Sequence, residues 1–343
     1  MELATMIEEL SSLPGPSGQE DFVREDICAK LEPLCDEVWK DAMGNLIGVK
    51  RCGKSQVKKL LLDAHMDEVG LIVTGIERGF LRFSPLGGID ARILPATGVR
   101  VLTDSPIYGV IDTMPPHALS ASDMDKSVPV DQLVIDIGMP QQEAENAVPL
   151  GTPVSFYVWP VRLGESRMCG KSLDNRASAG ILLKVMENLK DAELDMDVYC
   201  MFSVQEELGV RGAAPGVYGI DPDYALVLDV THAKTHDARS TGLMEMGGGP
   251  AIGIGPNMTR TMTEALVDIA KENNIPYQME VMSGSSGTNA WQIQIARGGI
   301  ATGVVSLPLK YMHTPHEVID LQDAALVERL VTAFVKQAGE VLK

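Results

Sequence analysis

What the chain lacks narrows its class first. Its five cysteines (Cys28, Cys35, Cys52, Cys169 and Cys200) are odd in number and include no Cys-x-x-Cys pair, which argues against a disulfide framework or a thiolate zinc site. Lys and Arg number 29 against 47 Asp and Glu, a formal net charge of −18 with a pI near 4.7. That sign is unsuited to nucleic acid or an anionic membrane, so neither is expected as a partner. No apolar run approaches the ~20 residues of a membrane-spanning helix. The opening Met1-Glu-Leu-Ala-Thr-Met-Ile-Glu-Glu9 lacks the basic and apolar regions of a secretion signal, so the expected location is cytoplasmic. There is no internal repeat and no low-complexity tract. The glycine-rich Ser283-Gly-Ser-Ser-Gly-Thr288 lacks the Gly-Lys-Ser/Thr ending of a phosphate loop, which leaves nucleotide binding weakly supported.

What is present is enough for a large core: 343 residues, 45% hydrophobic, fitting one large domain with an elaboration or two domains. Ser17 and Glu20 have capping-box spacing and predict a helix over 17–34. Residues 37–39 and 46–49 flank Met43-Gly-Asn45 as a hairpin, and 59–64 read as a buried strand. From about 68 to 159 the texture changes to short strand-like pieces separated by Gly and Pro, with little helical periodicity. This reads as a small β domain inserted into an α/β chain, carrying a long polar loop over 115–125. The α/β pattern returns with helices over 175–189, 259–273 and 321–342 and a strand over 277–282.

Several apolar runs end in metal-type ligands. Residues 60–64 lead to His65 and Asp67, 198–204 to Glu206 and Glu207, 225–228 to Asp229, and 302–306 lie just before His313. In open α/β sheets reactive groups gather outside the carboxyl ends of strands. Singly, each residue has an ordinary role: a solvated loop acid pair, a strand terminator at Asp229, a helix N-cap at Asp174, a hydrogen-bonded core histidine at His313. Jointly they form the imidazole and carboxylate inventory of a catalytic divalent-metal site, with Asp67 placed to accept the other imidazole proton of His65. Neighbouring side chains on a strand point to opposite sides, so Glu206 and Glu207 are expected to divide labour, one ligating and one moving protons, rather than to form a glycosidase pair.

The stretches Ala64-His-Met-Asp-Glu-Val-Gly70, Leu173-Asp-Asn-Arg-Ala177, Gln205-Glu-Glu-Leu-Gly-Val-Arg-Gly212, Leu228-Asp229 and Tyr311-Met-His-Thr-Pro315, in this order, resemble the M42 family of dinuclear metalloaminopeptidases. That family includes glutamyl aminopeptidases and tetrahedral dodecameric enzymes, and the likeness covers nearly the whole chain. It implies an α/β fold: a mixed-sheet zinc-peptidase (phosphorylase/hydrolase-like) catalytic domain sandwiched by helices, over 1–67 and 163–343. An inserted small β-barrel-like dimerisation domain would occupy 68–162. It further implies that Asp174 bridges two divalent ions, with His65 and Asp229 on one and Glu207 and His313 on the other, that Glu206 is the general base and that Asp67 orients His65. Zinc or cobalt suits these ligands, with manganese also open. His117, in the polar loop, is either a surface histidine or part of a chamber lining. Two positions depart from the family pattern: Asn289 stands where Asp is common, and Lys310 where Arg is usual. The Asn289 departure puts charge-based binding of the substrate amine there in doubt; Lys310 is a candidate positive group for a glutamyl-type pocket. His316 has no counterpart in the pattern. The expected function is removal of N-terminal residues from peptides by a metal-activated hydroxide, in a homo-oligomer built from dimers up to a dodecamer. The alternatives are a related metal hydrolase of another bond (acylamino acid, C-terminal peptide bond or glycan) and a non-catalytic assembly protein on the same scaffold.

Overall fold

The computed structural model describes residues 1–114, 127–237 and 242–342; the 115–125 loop with His117 lies outside them. The chain opens with α1 (Leu3–Ser12), which buries Met6, Ile7 and Leu10, and α2 (Asp21–Leu31), which buries Val23, Ile27 and Leu31. The expected capping box does not form. The hydroxyl of Ser17 donates instead to Asp67 Oδ2 (2.5 Å), and Glu20 Oε1 accepts the N–H of Gly18 (2.7 Å), because a buried carboxylate competes strongly for a nearby hydroxyl. Nor does α2 reach residue 34: Pro33 has no N–H to continue the ladder, and Glu32–Leu34 is a single 3-10 turn. Then follow β1 (Glu37–Lys40), β2 (Leu46–Lys50) and β3 (Lys59–His65).

Six strands, β4 (Gly70–Glu77), β5 (Phe80–Leu86), β6 (Gly98–Val101), β7 (Ile107–Asp112), β8 (Val134–Asp136) and β9 (Pro153–Phe156), close into a barrel in the order β4-β5-β8-β7-β6-β9. Leu71, Val73, Leu81, Phe83 and Val99 are among its filling side chains. One helix here was not expected: α3 (Gln141–Ala147) buries only Ala144, so it carries no apolar stripe from which a sequence could betray it.

The chain then re-enters the first body through β10 (Val161–Leu163), β11 (Arg167–Gly170), α4 (Leu173–Leu189), β12 (Asp197–Ser203), α5 (Ala213–Ile220), β13 (Tyr224–His232), β14 (Ala251–Ile254), α6 (Arg260–Glu272), β15 (Gln278–Val281), α7 (Ala290–Ile293), β16 (Ala301–Lys310), β17 (Glu317–Asp320) and α8 (Leu321–Val341). They build an 11-stranded mixed sheet, β1-β2-β12-β3-β13-β16-β17-β11-β10, with β14 joining β16 and β15. Its centre, β12-β3-β13-β16, is parallel. Two strands outrun their expected ends: β13 and β16 stay paired from Asp229↔Ser306 to His232↔Leu309.

The sheet sorts its side chains by parity. On β3 and β12, Leu60, Leu62, Val198, Cys200 and Phe202 pack under α1, α2, α4, α6 and α8, whereas Leu61, Tyr199 and Met201 pack under α5 and α7. The first face has long helices. The second has one of eight residues and one of four, so it is left uncovered towards the carboxyl ends of the parallel strands. His65 shares parity with Leu61, Asp229 with Ala225 and Val227, and Ser306 with Val304. All three therefore emerge on the uncovered side.

Candidate metal centre

The uncovered side opens into a cleft of about 200 Å³ lined by His65, Asp174, Glu206, Glu207, Asp229 and His313 and, further out, by Thr231, His232, Glu280, Met282 and Met312. A larger hollow of about 540 Å³ beside α8 is lined by a single acid, Glu328, and no histidine; the convergent chemistry lies in the smaller cleft. His65 Nε2 is 3.2 Å from Asp174 Oδ1 and 3.8 Å from Asp229 Oδ1. His313 Nε2 is 3.2 Å from Glu207 Oε2 and 3.5 Å from Asp174 Oδ2. The ligand atoms of His65, Asp174 and Asp229 lie within 4.8 Å of one another, as do those of Asp174, Glu207 and His313, and those of His65, Glu206 and Glu207.

Each residue is placed by its own piece of chain. Asp174 does not cap α4; Ser172 occupies that position in the left-handed region, and Asp174 and Asn175, joined by a cis peptide, depart from helical dihedrals in the first turn. Asn175 Nδ2 donates to the carbonyl of Leu228 (2.9 Å), tying this turn to β13 beside Asp229. Arg176, fully buried, donates through Nη1 to the carbonyl of Leu10 (2.9 Å). His313 is about one-third exposed rather than a core histidine. Its Nδ1 lies 2.8 Å from the carbonyl of Gly88, beyond β5 of the barrel, so Nδ1 carries the proton and Nε2 is left free to ligate. A side chain at Gly88 would sit 3.3 Å from that nitrogen.

The strand-alternation reading of Glu206 and Glu207 needs correction. β12 ends at Ser203, and Gln205 turns into the left-handed region at φ +54°. Both glutamates therefore sit on a turn, where period two no longer applies, and both line the cleft. Asp67 holds that turn: its Oδ1 accepts the N–H of Glu206 (3.0 Å) and its Oδ2 that of Glu207 (3.2 Å). Asp67 Oδ1 is also 3.4 Å from His65 Nδ1, although that ring nitrogen has no hydrogen-bond partner of good geometry. Asp67 thus does more than accompany His65.

Five carboxylates, Asp67, Asp174, Glu206, Glu207 and Asp229, around two imidazoles, His65 and His313, leave the centre over-supplied with negative charge. Burial is the main cause that pushes Glu206 up to about 8, with Glu207, Asp174 and Asp67 adding to it and His65 opposing. Burial likewise raises Glu207 and holds Asp229 well above the carboxylate range. Burial acts on Asp174 too, but the two imidazoles outweigh it and hold that carboxyl low. His313 is lowered by burial and raised more by Asp174 and Glu207, ending at about 11. A cluster that can ionise only by sharing protons fits cations in their place, and two imidazoles with oxygen donors are the chemistry divalent ions take.

Three further residues matter and were not read from the sequence. Glu317, fully buried, accepts the N–H of Asp174 at Oε2 (2.9 Å) and of His313 at Oε1 (2.8 Å). Glu68 is buried on Lys171 Nζ (2.6 Å), the N–H of Gly15 (2.8 Å) and the hydroxyl of Ser155 (2.9 Å), joining the barrel to the first body. Glu280 lines the cleft. Their signal was thin: an acid beside an apolar strand looks like an ordinary solvated end. The two departures also resolve. Asn289 is buried, donates to Asp63 Oδ2 (2.7 Å) and Ser203 Oγ (2.6 Å) and is not among the cleft-lining residues. Lys310 and His316 are not among the cleft-lining residues.

A family profile described as M42 glutamyl aminopeptidase matches residues 44–330. The lysyl aminopeptidase of Pyrococcus furiosus is 33% identical over 338 residues, 97% of this chain and 96% of its own. An aminopeptidase from the archaeon Desulfurococcus kamchatkensis superposes with a TM-score of 0.92 at 36% identity, covering 99% of this chain and 96% of the other. The TET1 peptidase of Pyrococcus horikoshii, described as assembling into a tetrahedron or a large octahedral shell, superposes with a TM-score of 0.87 at 31% identity, covering 97% and 99%.

Proposed function

The chain belongs to the M42 glutamyl aminopeptidase family and is an aminopeptidase, and we propose that it releases N-terminal residues from peptides with two divalent cations and Glu206 as general base. His65 and Asp229 would hold one ion, Glu207 and His313 the other, and Asp174 both. The observation that carries this reading is that the two oxygens of Asp174 face two different imidazoles, as a bridging carboxylate must. Zinc or cobalt suits this donor set, with manganese the third option. When bound, such ions supply Lewis acidity for the scissile carbonyl and the attacking water. Glu206 takes the proton from that water and returns it to the leaving amine. Asp67 fixes the turn that aims Glu206.

A homo-oligomer is part of the same reading, dimers assembling up to a dodecamer through the inserted domain, 68–162. It is supported by the assemblies of the Pyrococcus horikoshii relative and by exposed Tyr108, Tyr157 and Trp159 on and beside the barrel, since adjoining exposed aromatics mark contact surfaces. So is a cytoplasmic location, supported by five free cysteines. Among the described residues no helix is long and apolar enough to cross a membrane.

The test is hydrolysis of free and N-acetylated aminoacyl-p-nitroanilides by chelated protein, with zinc, cobalt or manganese added back. Metal should restore activity on the free substrates only. Glu206→Gln should lose about 10²–10⁴-fold in turnover while retaining two ions per chain; an active variant would overturn the assignment of the base.

A further inference from the structure

The cleft holds an acid that the proposed chemistry does not use. Among the described residues that line it none is Lys or Arg, and besides the five proposed ligands and Glu206 one carboxylate remains, Glu280. It is fixed: one oxygen accepts the hydroxyl of Thr231, the other that of Ser306 (2.9 Å). Burial raises its carboxyl above the usual range, with the two hydroxyl donors and His232 acting the other way, and each oxygen keeps capacity for a further bond.

Its position follows from the strand register. Ser306 is the lateral partner of Asp229 across the parallel β13–β16 pair, and Thr231 stands two residues further along β13, about 6.6 Å at strand spacing. A carboxylate bridging these two hydroxyls lies a side chain's length outward from the reacting centre. The α-ammonium of a bound peptide is one carbon from the scissile carbonyl and stays near the ligand acids. The ammonium of a lysine side chain, on its four-carbon stem, reaches outward, and so does a guanidinium. Met282 and Met312 line the same cleft and offer thioether surface to the aliphatic stem. An acidic side chain would meet Glu280 as a like charge, and besides the ligand histidines the one basic group among the described lining residues is His232.

Resting on the aminopeptidase reading, we propose that Glu280 is a specificity residue that makes this site select peptides whose N-terminal residue is lysine or arginine.

The test uses the metal-loaded full chain and four substrates, the p-nitroanilides of Lys, Arg, Leu and Glu. Lys and Arg are expected to exceed Leu in kcat/KM by at least tenfold and Glu by at least a hundredfold. Glu280→Gln is expected to lower the Lys-to-Leu ratio at least tenfold. Should it fail to fold, Glu280→Met, which fills the space without charge, gives the same readout. Wild-type activity led by Leu or Glu overturns this inference alone, as does a Glu280 variant that slows Lys and Leu in parallel, the mark of a contact to the α-ammonium or of a structural role. Hydrolysis of none of the four overturns both this inference and the reading beneath it.

Discussion

Glu317→Gln is expected to loosen the metal centre although Glu317 does not line the cleft. Its two oxygens accept one backbone N–H each, from Asp174 and His313, and so set the spacing between the turn that carries the shared acid and the turn that carries a histidine. Burial, with Asp174 adding, holds its carboxyl well above the usual range, so the amide differs from it chiefly in the donor it presents. That NH₂ must face one of the two backbone N–H groups. One bond is lost and its buried backbone donor left unmet, about 1–3 kcal/mol. Urea unfolding of the chelated protein should register that loss. Positioning groups behind ligands typically govern about 10–100-fold in metal affinity, which competition with a chromophoric chelator would measure. A variant within about 0.5 kcal/mol of wild type in stability and within about twofold in affinity would refute the role given to Glu317.

Asp174→Ala should empty the site of both ions, because both proposed ligand sets include Asp174; one ion per chain remaining after dialysis would show that Asp174 is not shared. Ion uptake should release protons, since ligands that share protons in the bare cleft must give them up; calorimetry in buffers of different ionisation enthalpy would show it, and heats independent of buffer would count against it. Asp63 is fully buried, with Oδ1 unpartnered, and burial raises it from 3.8 to about 6. The native state therefore keeps a proton that the unfolded chain has lost, and this stabilising share, up to about 3 kcal/mol, is present below pH ~4 and gone once the pH passes ~6. The urea-stability gap between wild type and Asp63→Asn should change by that amount between pH 4 and pH 7, and a pH-independent gap would refute it.

The sheet was legible because buried parallel strands are near-continuous apolar runs, and most of the proposed ligands because they interrupt or closely follow such a run; Asp174, at the start of α4, does not. His65, Asp229 and His313 stand out in this way. What was hidden depended on backbone conformation or on partners distant in sequence. Nothing in the letters Val204-Gln-Glu-Glu207 reveals that Gln205 turns left-handed and puts both glutamates on one side. Ser17 has a capping residue's neighbours and an acid fifty positions away as its partner. α3 is polar nearly throughout and buries one alanine, so periodicity had nothing to detect.

The two acids that stand behind the cleft have a common reason for being acids. Asp67 and Glu317 each bind two backbone N–H groups, the first under Glu206 and Glu207, the second under Asp174 and His313. A centre rich in carboxylates repels itself when no cation is present, and side-chain links between ligands would break as their protons were displaced. Backbone N–H groups do not titrate, so links made through them persist whether or not ions are bound. A carboxyl group is also able to accept two of them at once, one at each oxygen. The turns that carry the proposed ligands are thus held at one spacing by contacts that bound cations would not alter. This accounts for acids in the very positions where the local charge alone would disfavour them.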